Sequence, residues 1–409
     1  CRTYSGDVPA YRLHSRLPVL LRIIRKNLKM PEHNGRRNKN LVVIQLSGGN
    51  DYLNTLVPYQ DGLYYDFRPS MGLKGDDVIP IDDKCAFNSN MGPFKTLFDQ
   101  DKMAVMMGIG YPEPNRSHFR SMDIWHTAEP FTSSSEGWLG KANSLIDPDG
   151  KNPVTTVNFG RGLPRALASQ GVSVASVGAL ESYGLYTGLA GASNRDAMLD
   201  TVSRIYQPMA DGGFPSRRIL ETGRGALDGA DLLREAPSSY KSNVEYPEDN
   251  PIAQSLKGIA QVMSAELGTR IYYAAHGSFD THTNELVNHA LLWDQLSKAV
   301  ECFWDDVQRQ GKGDETVIWM FSEFGRRIAD NGTGTDHGSG GLAFMIGDSV
   351  NGGLYGDYPK LDPSEQLEGD VLFNTDFRQV YSTLLEDVLG IESEPVLKQK
   401  FNTLDLVKN

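Results

Sequence analysis

Short apolar runs recur along the chain and alternate with segments of helical spacing. Leu41–Leu46 (LVVIQL), Met103–Ile109 (MAVMMGI), Thr269–Ala275 (TRIYYAA), Thr316–Phe321 and Leu342–Ile346 are five to seven residues long and rich in β-formers. Leu41–Leu46, Met103–Ile109 and Thr316–Phe321 predict buried strands, and Thr269–Ala275 and Leu342–Ile346 predict further strands. Ile252, Leu256, Ile259, Met263 and Leu267 recur at helical spacing after Pro251, and Leu286, Ala290, Trp293, Leu296, Val300, Phe303 and Val307 predict one face of a long helix over Asn284–Gln308. Gly311 closes that helix. Shorter helices are predicted at Gly92–Asp99, after Ser117 and over Asp376–Leu389. Strands separated by helices define an α/β chain. Leu53–Ala86 reads as irregular. So does 128–250, rich in Ser, Gly, Asn, Asp and Pro, with strand-like pieces only at Pro153–Phe159 and Val172–Val177. The expected organisation is an appendage over 1–40, one α/β domain over 41–393 with a cap-like insertion at 128–250, and a tail over 394–409.

Composition narrows the function. A chain of 409 residues, 39% hydrophobic and 22% charged, has the balance of a soluble globular protein with a large core. Net charge is −12, but ten of the 40 basic residues fall within 1–40, against only Asp7 and Glu32. The other 369 residues therefore carry 30 basic and 50 acidic side chains, which argues against nucleic acid as a partner. No apolar run approaches the roughly 18 residues of a membrane span. The segment Tyr11–Leu28 surrounds the apolar Leu17–Leu21 with Arg and Lys. It can be read as a basic amphipathic helix making peripheral contact with an anionic membrane, as a segment docked on the domain, or as a solvated tail. Cys1, Cys85 and Cys302 form no C-x-x-C pair and no disulfide framework.

The candidate chemistry sits where strands stop. In open α/β sheets ligands bind beyond the C-terminal strand ends. Leu41–Leu46 runs into Ser47-Gly48-Gly49-Asn50-Asp51, and Thr269–Ala275 into His276-Gly277-Ser278-Phe279-Asp280-Thr281-His282. Thr316–Phe321 runs into Ser322-Glu323-Phe324-Gly325-Arg326-Arg327, and a glycine-rich loop then carries Asp336 and His337. Taken singly, each has a plainer reading: Glu323 pairs with Arg326 or Arg327, and the Asp and Asn residues form turns. Ser117 opens a helix, either as a plain N-cap or as a nucleophile favoured by free N–H groups and the helix dipole. Arg116, His118 and Arg120 beside it are candidates to steady an anion or move a proton. Together these groups are the inventory of metal-assisted hydrolysis of a phosphate or sulfate ester. Asp51, Asp280, His282, Glu323, Asp336 and His337 would hold a divalent metal, with zinc, manganese, magnesium and calcium all open. His289 is another candidate ligand, though a packed histidine is the plainer reading.

The strings LVVIQLSGGNDYLNTLVPY, GIGYPEPNRSHFRSMDIWH, FDTH, SEFGRR, GTDHG and TDFRQVYSTLLEDVLG occur in this order from Leu41 to Gly390. They resemble the sulfatase-like family catalogued as domain of unknown function 1501, placed in the alkaline phosphatase superfamily. The resemblance implies a central, mostly parallel sheet with helices on both faces and metal ligands at strand ends. It implies Asp51 as the first-strand metal aspartate and Ser117 near the nucleophile position. Asp280, His282 and His337 would hold one metal, and Glu323 would serve a second. Phe324 stands where the superfamily has a histidine, and no C-x-P-S-R motif surrounds Ser117. Many family members carry twin-arginine export signals, so an extracytoplasmic home is implied. Arg36-Arg37 resembles such a pair without the apolar region that should follow. The expected partner is a small-molecule or glycan ester. The alternative is a non-catalytic member of the same fold that binds a glycan or a protein.

Overall fold

The computed structural model describes residues 39–184 and 214–408, with positions 197, 201 and 204 between them. The basic appendage, apart from Lys39 and Asn40, lies outside the described residues. The apolar runs become strands, in chain order β1 (Asn40–Leu46), β2 (Leu56–Val57), β3 (Val78–Pro80), β4 (Ala86–Asn88), β5 (Met103–Gly110), β6 (Thr156–Phe159), β7 (Ala175–Val177), β8 (Ile271–His276), β9 (Thr316–Ser322), β10 (Gly341–Ile346), β11 (Gly353–Tyr355) and β12 (Thr375–Asp376). Nine of them form the central sheet in the order β11-β5-β10-β9-β1-β8-β6-β7, with β12 also paired to β5. Every pairing is parallel except those of β10, which runs against β5 and β9.

Both faces of this sheet are buried, as the uninterrupted apolar runs require. Along β1, Leu41 and Val43 join one core, and Val42, Ile44 and Leu46 join the other. Helices Gly92–Asp99, Pro251–Ala265 and Glu285–Arg309 cover the second face. Helices His118–Thr127, Trp138–Ile146 and Phe377–Thr383 cover the first. The last continues as a π-helical turn, Leu384–Leu389, and stops at Gly390, whose φ of 71° suits glycine. The architecture is thus an α/β fold with a mostly parallel central sheet between helical layers.

Three expectations change. Part of 128–250 belongs to the sheet, because β6 pairs with β8 and β7 with β6, so the segment is not only a cap. Leu53–Ala86 contributes β2 and, after it, β3, which with β4 make a small antiparallel sheet. On helix Glu285–Arg309, Leu286 is exposed, and the inward face is instead His289, Leu292, Trp293, Leu296 and Val300. Among the described residues no helix is long and apolar enough to cross a membrane.

Candidate metal centre at the strand ends

Register brings the candidate loops together. Leu46, the last residue of β1, pairs with His276, the last of β8, and with Ser322, the last of β9. Three chain segments therefore leave the sheet side by side. Gly48 and Gly49 let them touch, with φ of 122° and 77°. A Cβ on Gly48 would lie 2.3 Å from the Asp280 nitrogen, and one on Gly49 2.3 Å from the Phe324 ring. The open space lets the Gly48 N–H donate to Glu323, 2.9 Å from Oε1 and 3.2 Å from Oε2. Helix His118–Thr127 is fastened to the same edge by Ser121 Oγ, which donates to the Glu323 carbonyl at 2.6 Å.

At this edge three imidazoles surround one oxygen. Asp280 Oδ1 lies 3.3 Å from His118 Nε2, 3.1 Å from His282 Nε2 and 3.2 Å from His337 Nε2. His282 Nε2 and His337 Nε2 are themselves 2.9 Å apart. The opposite nitrogen of each ring has its own acceptor. His118 Nδ1 donates to Glu323 Oε1 at 2.9 Å, His282 Nδ1 to Asp336 Oδ1 at 3.1 Å, and His337 Nδ1 to the Arg116 carbonyl at 2.8 Å. A carbonyl or ionised carboxylate only accepts, so each Nδ1 carries a proton, and a ring deprotonated at Nε2 would present that lone pair to the centre. His118 Nε2 is buried without a hydrogen-bond partner. Phe324 packs against both His118 and His337, with ring centroids 4.9 and 5.1 Å away.

Arg326 completes the cluster. It is buried, donates at 2.8 Å to Asp280 Oδ1, and also binds the carbonyls of Gly48, Gly49, Phe279 and Thr335. Burial would raise the Asp280 carboxyl, but Arg326 and the imidazoles hold it down at about 2. The hydrogen bond to Glu323 raises the His118 ring, burial lowers that of His337, and His282 lowers the carboxyl of Asp336.

These residues fit a divalent cation. Around tetrahedral zinc, with bonds of about 2.0–2.1 Å, neighbouring ligand atoms sit about 3.3 Å apart. Ligand-type atoms of His118, Asp280 and His337 all lie within 4.8 Å of one another. Nε2 groups oriented from behind by carboxylates or carbonyls are how metal-binding histidines are normally held. Three imidazoles with one carboxylate suit zinc better than manganese, magnesium or calcium, which favour oxygen.

Other expected residues take different places. Asp51 does not reach this cluster. It is buried in a two-pronged pair with Arg68, at 2.5 and 2.8 Å. Burial alone would raise its carboxyl, yet Arg68 holds it well below the usual range, while the neighbouring Glu285 is pushed up to about 9 by burial and by Asp51. Glu323 and Asp336 stand behind the imidazoles, not among the inward-facing donors. Arg116 is taken up by the buried Asp370 at 2.8 Å, and Arg120 by Asp123 and the carbonyls of Pro130 and Thr132, so both guanidinium groups are paired within the protein. Ser117 is exposed at the N-cap position of its helix without a side-chain capping bond, flanked by Arg116 and His118, which both touch the cluster. His289 is a packed histidine: Trp293 Nε1 donates to its Nε2 at 3.1 Å. Arg326 was legible only as a partner for Glu323, since nothing local marks one arginine of SEFGRR as buried.

An open cleft of about 300 Å³ runs from His118 and Glu323 past Phe119, Met122 and Arg165. The fold and the cluster define an α/β protein with a histidine-rich centre at the C-terminal edge of a parallel sheet, where such folds place their ligands. The chain belongs to the family described as protein of unknown function (DUF1501), whose model matches residues 38–397. No curated protein matches it in sequence. Similar solved structures include the PsFucS1 sulfatase from Pseudoalteromonas sp., at 14% identity, covering 96% of this chain and 75% of that one with a TM-score of 0.39. The lipoteichoic acid synthase LtaP from Listeria monocytogenes is 10% identical over 93% of this chain and 81% of that one, with a TM-score of 0.37. A protein in the alkaline phosphatase superfamily from Vibrio parahaemolyticus is 10% identical over 93% and 78%, also with a TM-score of 0.37.

Proposed function

We propose that this protein is an extracytoplasmic hydrolase of phosphate or sulfate esters that works with one divalent cation held by His118, Asp280, His282 and His337. The observation that carries this is the shared orientation of the three imidazoles, each with Nδ1 tied to an acceptor and Nε2 near one carboxylate oxygen. A bound cation would act as a Lewis acid on the ester oxygen. Ser117 is the nucleophile in this reading. It lies at the start of helix His118–Thr127, where first-turn N–H groups favour an incoming anion. Arg326 fixes Asp280, and Glu323 fixes His118, so the donors stay in place without reorganising. The ordered motif resemblance to the alkaline phosphatase superfamily supports the same chemistry.

Elemental analysis of the purified protein by inductively coupled plasma mass spectrometry, beside Asp280→Ala and His337→Ala, tests this directly. We expect about one equivalent of zinc in the wild type and its loss in both variants. Turnover of 4-nitrophenyl phosphate or 4-nitrophenyl sulfate should follow metal content. A wild type that takes up no zinc after soaking would overturn the proposal. A second reading rests on Arg326, whose guanidinium already pairs with Asp280 at 2.8 Å. In that reading an internal cation closes the cluster and the protein binds its ligand without turnover.

A further inference from the structure

The cleft beside the cluster has an apolar and a polar lining. Phe119 and Met122 follow His118 along the same helix, and the Phe119 ring is 92% exposed. A ring this open buries little apolar area within the fold. Gln45 and Ser47, at the end of β1, also line it, and Arg165 does so while paired with Asp123 of that helix. Gln45 is held from below. The hydroxyl of buried Tyr273 donates to its Oε1, and His126 Nε2 lies 2.8 Å from the same oxygen. With Oε1 occupied, the amide nitrogen of Gln45 faces outward and donates to Ser47 Oγ at 2.5 Å. Because Ser47 accepts this bond, its own hydrogen remains for an oxygen in the cleft. Burial keeps the His126 ring neutral, its value down at about 4, so this arrangement holds across neutral pH.

A ligand suited to this lining has one apolar face and a rim of oxygen atoms. A pyranose has both: its C–H face packs on an aromatic ring, and its hydroxyls ring the edge. We infer that the cleft is a sugar subsite, with Phe119 as the stacking platform and Ser47, oriented by Gln45, as a donor to a ring oxygen or hydroxyl. The cleft opens on His118 and Glu323, so the sugar would be the portion of the ester next to the bond that is cut. That last placement rests on the hydrolase reading, whereas sugar binding itself does not.

The test uses the full chain on a printed array of neutral, sulfated and phosphorylated oligosaccharides, with Phe119→Ala, Phe119→Trp and Ser47→Ala beside wild type. Phe119 is exposed, so its variants should melt with the wild type. We expect the wild type to bind at least one class of pyranoside, Phe119→Ala to weaken it about tenfold, and Phe119→Trp to restore it. Ser47→Ala should weaken it as well. No binding by the wild type, or equal binding by Phe119→Ala, would overturn the subsite. Turnover of 4-nitrophenyl esters without sugar binding would remove the subsite and leave the hydrolase. Sugar binding without ester turnover would do the reverse.

Discussion

His118 Nδ1 donates to Glu323 Oε1 at 2.9 Å, joining two residues 205 positions apart in the chain. Glu323 is 2% exposed and also accepts the Gly48 N–H, so the imidazole is held by a carboxylate that cannot swing away. Such a group makes its histidine a better donor on the far nitrogen. Glu323→Gln keeps an acceptor but removes the charge. We expect zinc affinity to fall about 10- to 100-fold in isothermal titration, with the fold retained. Unchanged affinity would mean that Glu323 serves packing alone.

Asp51 forms a buried ion pair with Arg68. Its side chain and that of Arg68 have no exposure, and the guanidinium also binds the carbonyls of Ile328 and Arg327. Arg68→Met leaves a buried charge unpaired and should cost about 3–5 kcal/mol in urea unfolding. Asp51→Asn with Arg68→Met should cost clearly less. Metal content settles the role of Asp51: a folded Asp51→Asn that loses its zinc would make Asp51 a ligand after all.

Ser117 has no structural duty that the fold shows, so its replacement should separate chemistry from stability. Ser117→Ala should melt with the wild type and keep its metal, while kcat on a cleaved 4-nitrophenyl ester drops by roughly 10³-fold or more. An active Ser117→Ala would leave Ser117 as the bare start of a helix and point to a water nucleophile.

Acid should destabilise the protein before the carboxylates titrate. Burial pushes the imidazoles of His126, His276 and His289 down to about 4. The unfolded rings titrate near 6.5. Above about pH 6.5 both states are neutral and this stability is fully present. As pH falls from about 6.5 towards 4, only the unfolded chain takes up protons, and each ring costs up to about 3 kcal/mol. Urea midpoints at pH 7, 6 and 5 should fall in step. His276→Asn should show a shallower fall than wild type, and an identical pH slope would contradict the assignment.

Much of the scaffold was readable before any coordinates. The runs at Leu41–Leu46, Met103–Ile109 and Thr316–Phe321 carry apolar residues on both alternating sets of positions, which suits a strand covered on both faces. Because such strands end abruptly in glycine turns, Asp280, His282 and His337 stood out as groups at a strand edge. Which atoms meet there was not readable. That depends on Leu46 pairing with both His276 and Ser322, a register set by two cores packed on opposite faces of the sheet. Sequence showed Asp51, Glu323 and Asp280 as similar carboxylates at similar strand ends. Tertiary structure separated them into a buried ion pair, a brace behind an imidazole and a member of the centre. It likewise buried Arg326 in the cluster and spent Arg116 and Arg120 on other partners. A side chain's charge is local information. The partner that takes up that charge comes from distant parts of the chain, and only folding brings it within reach.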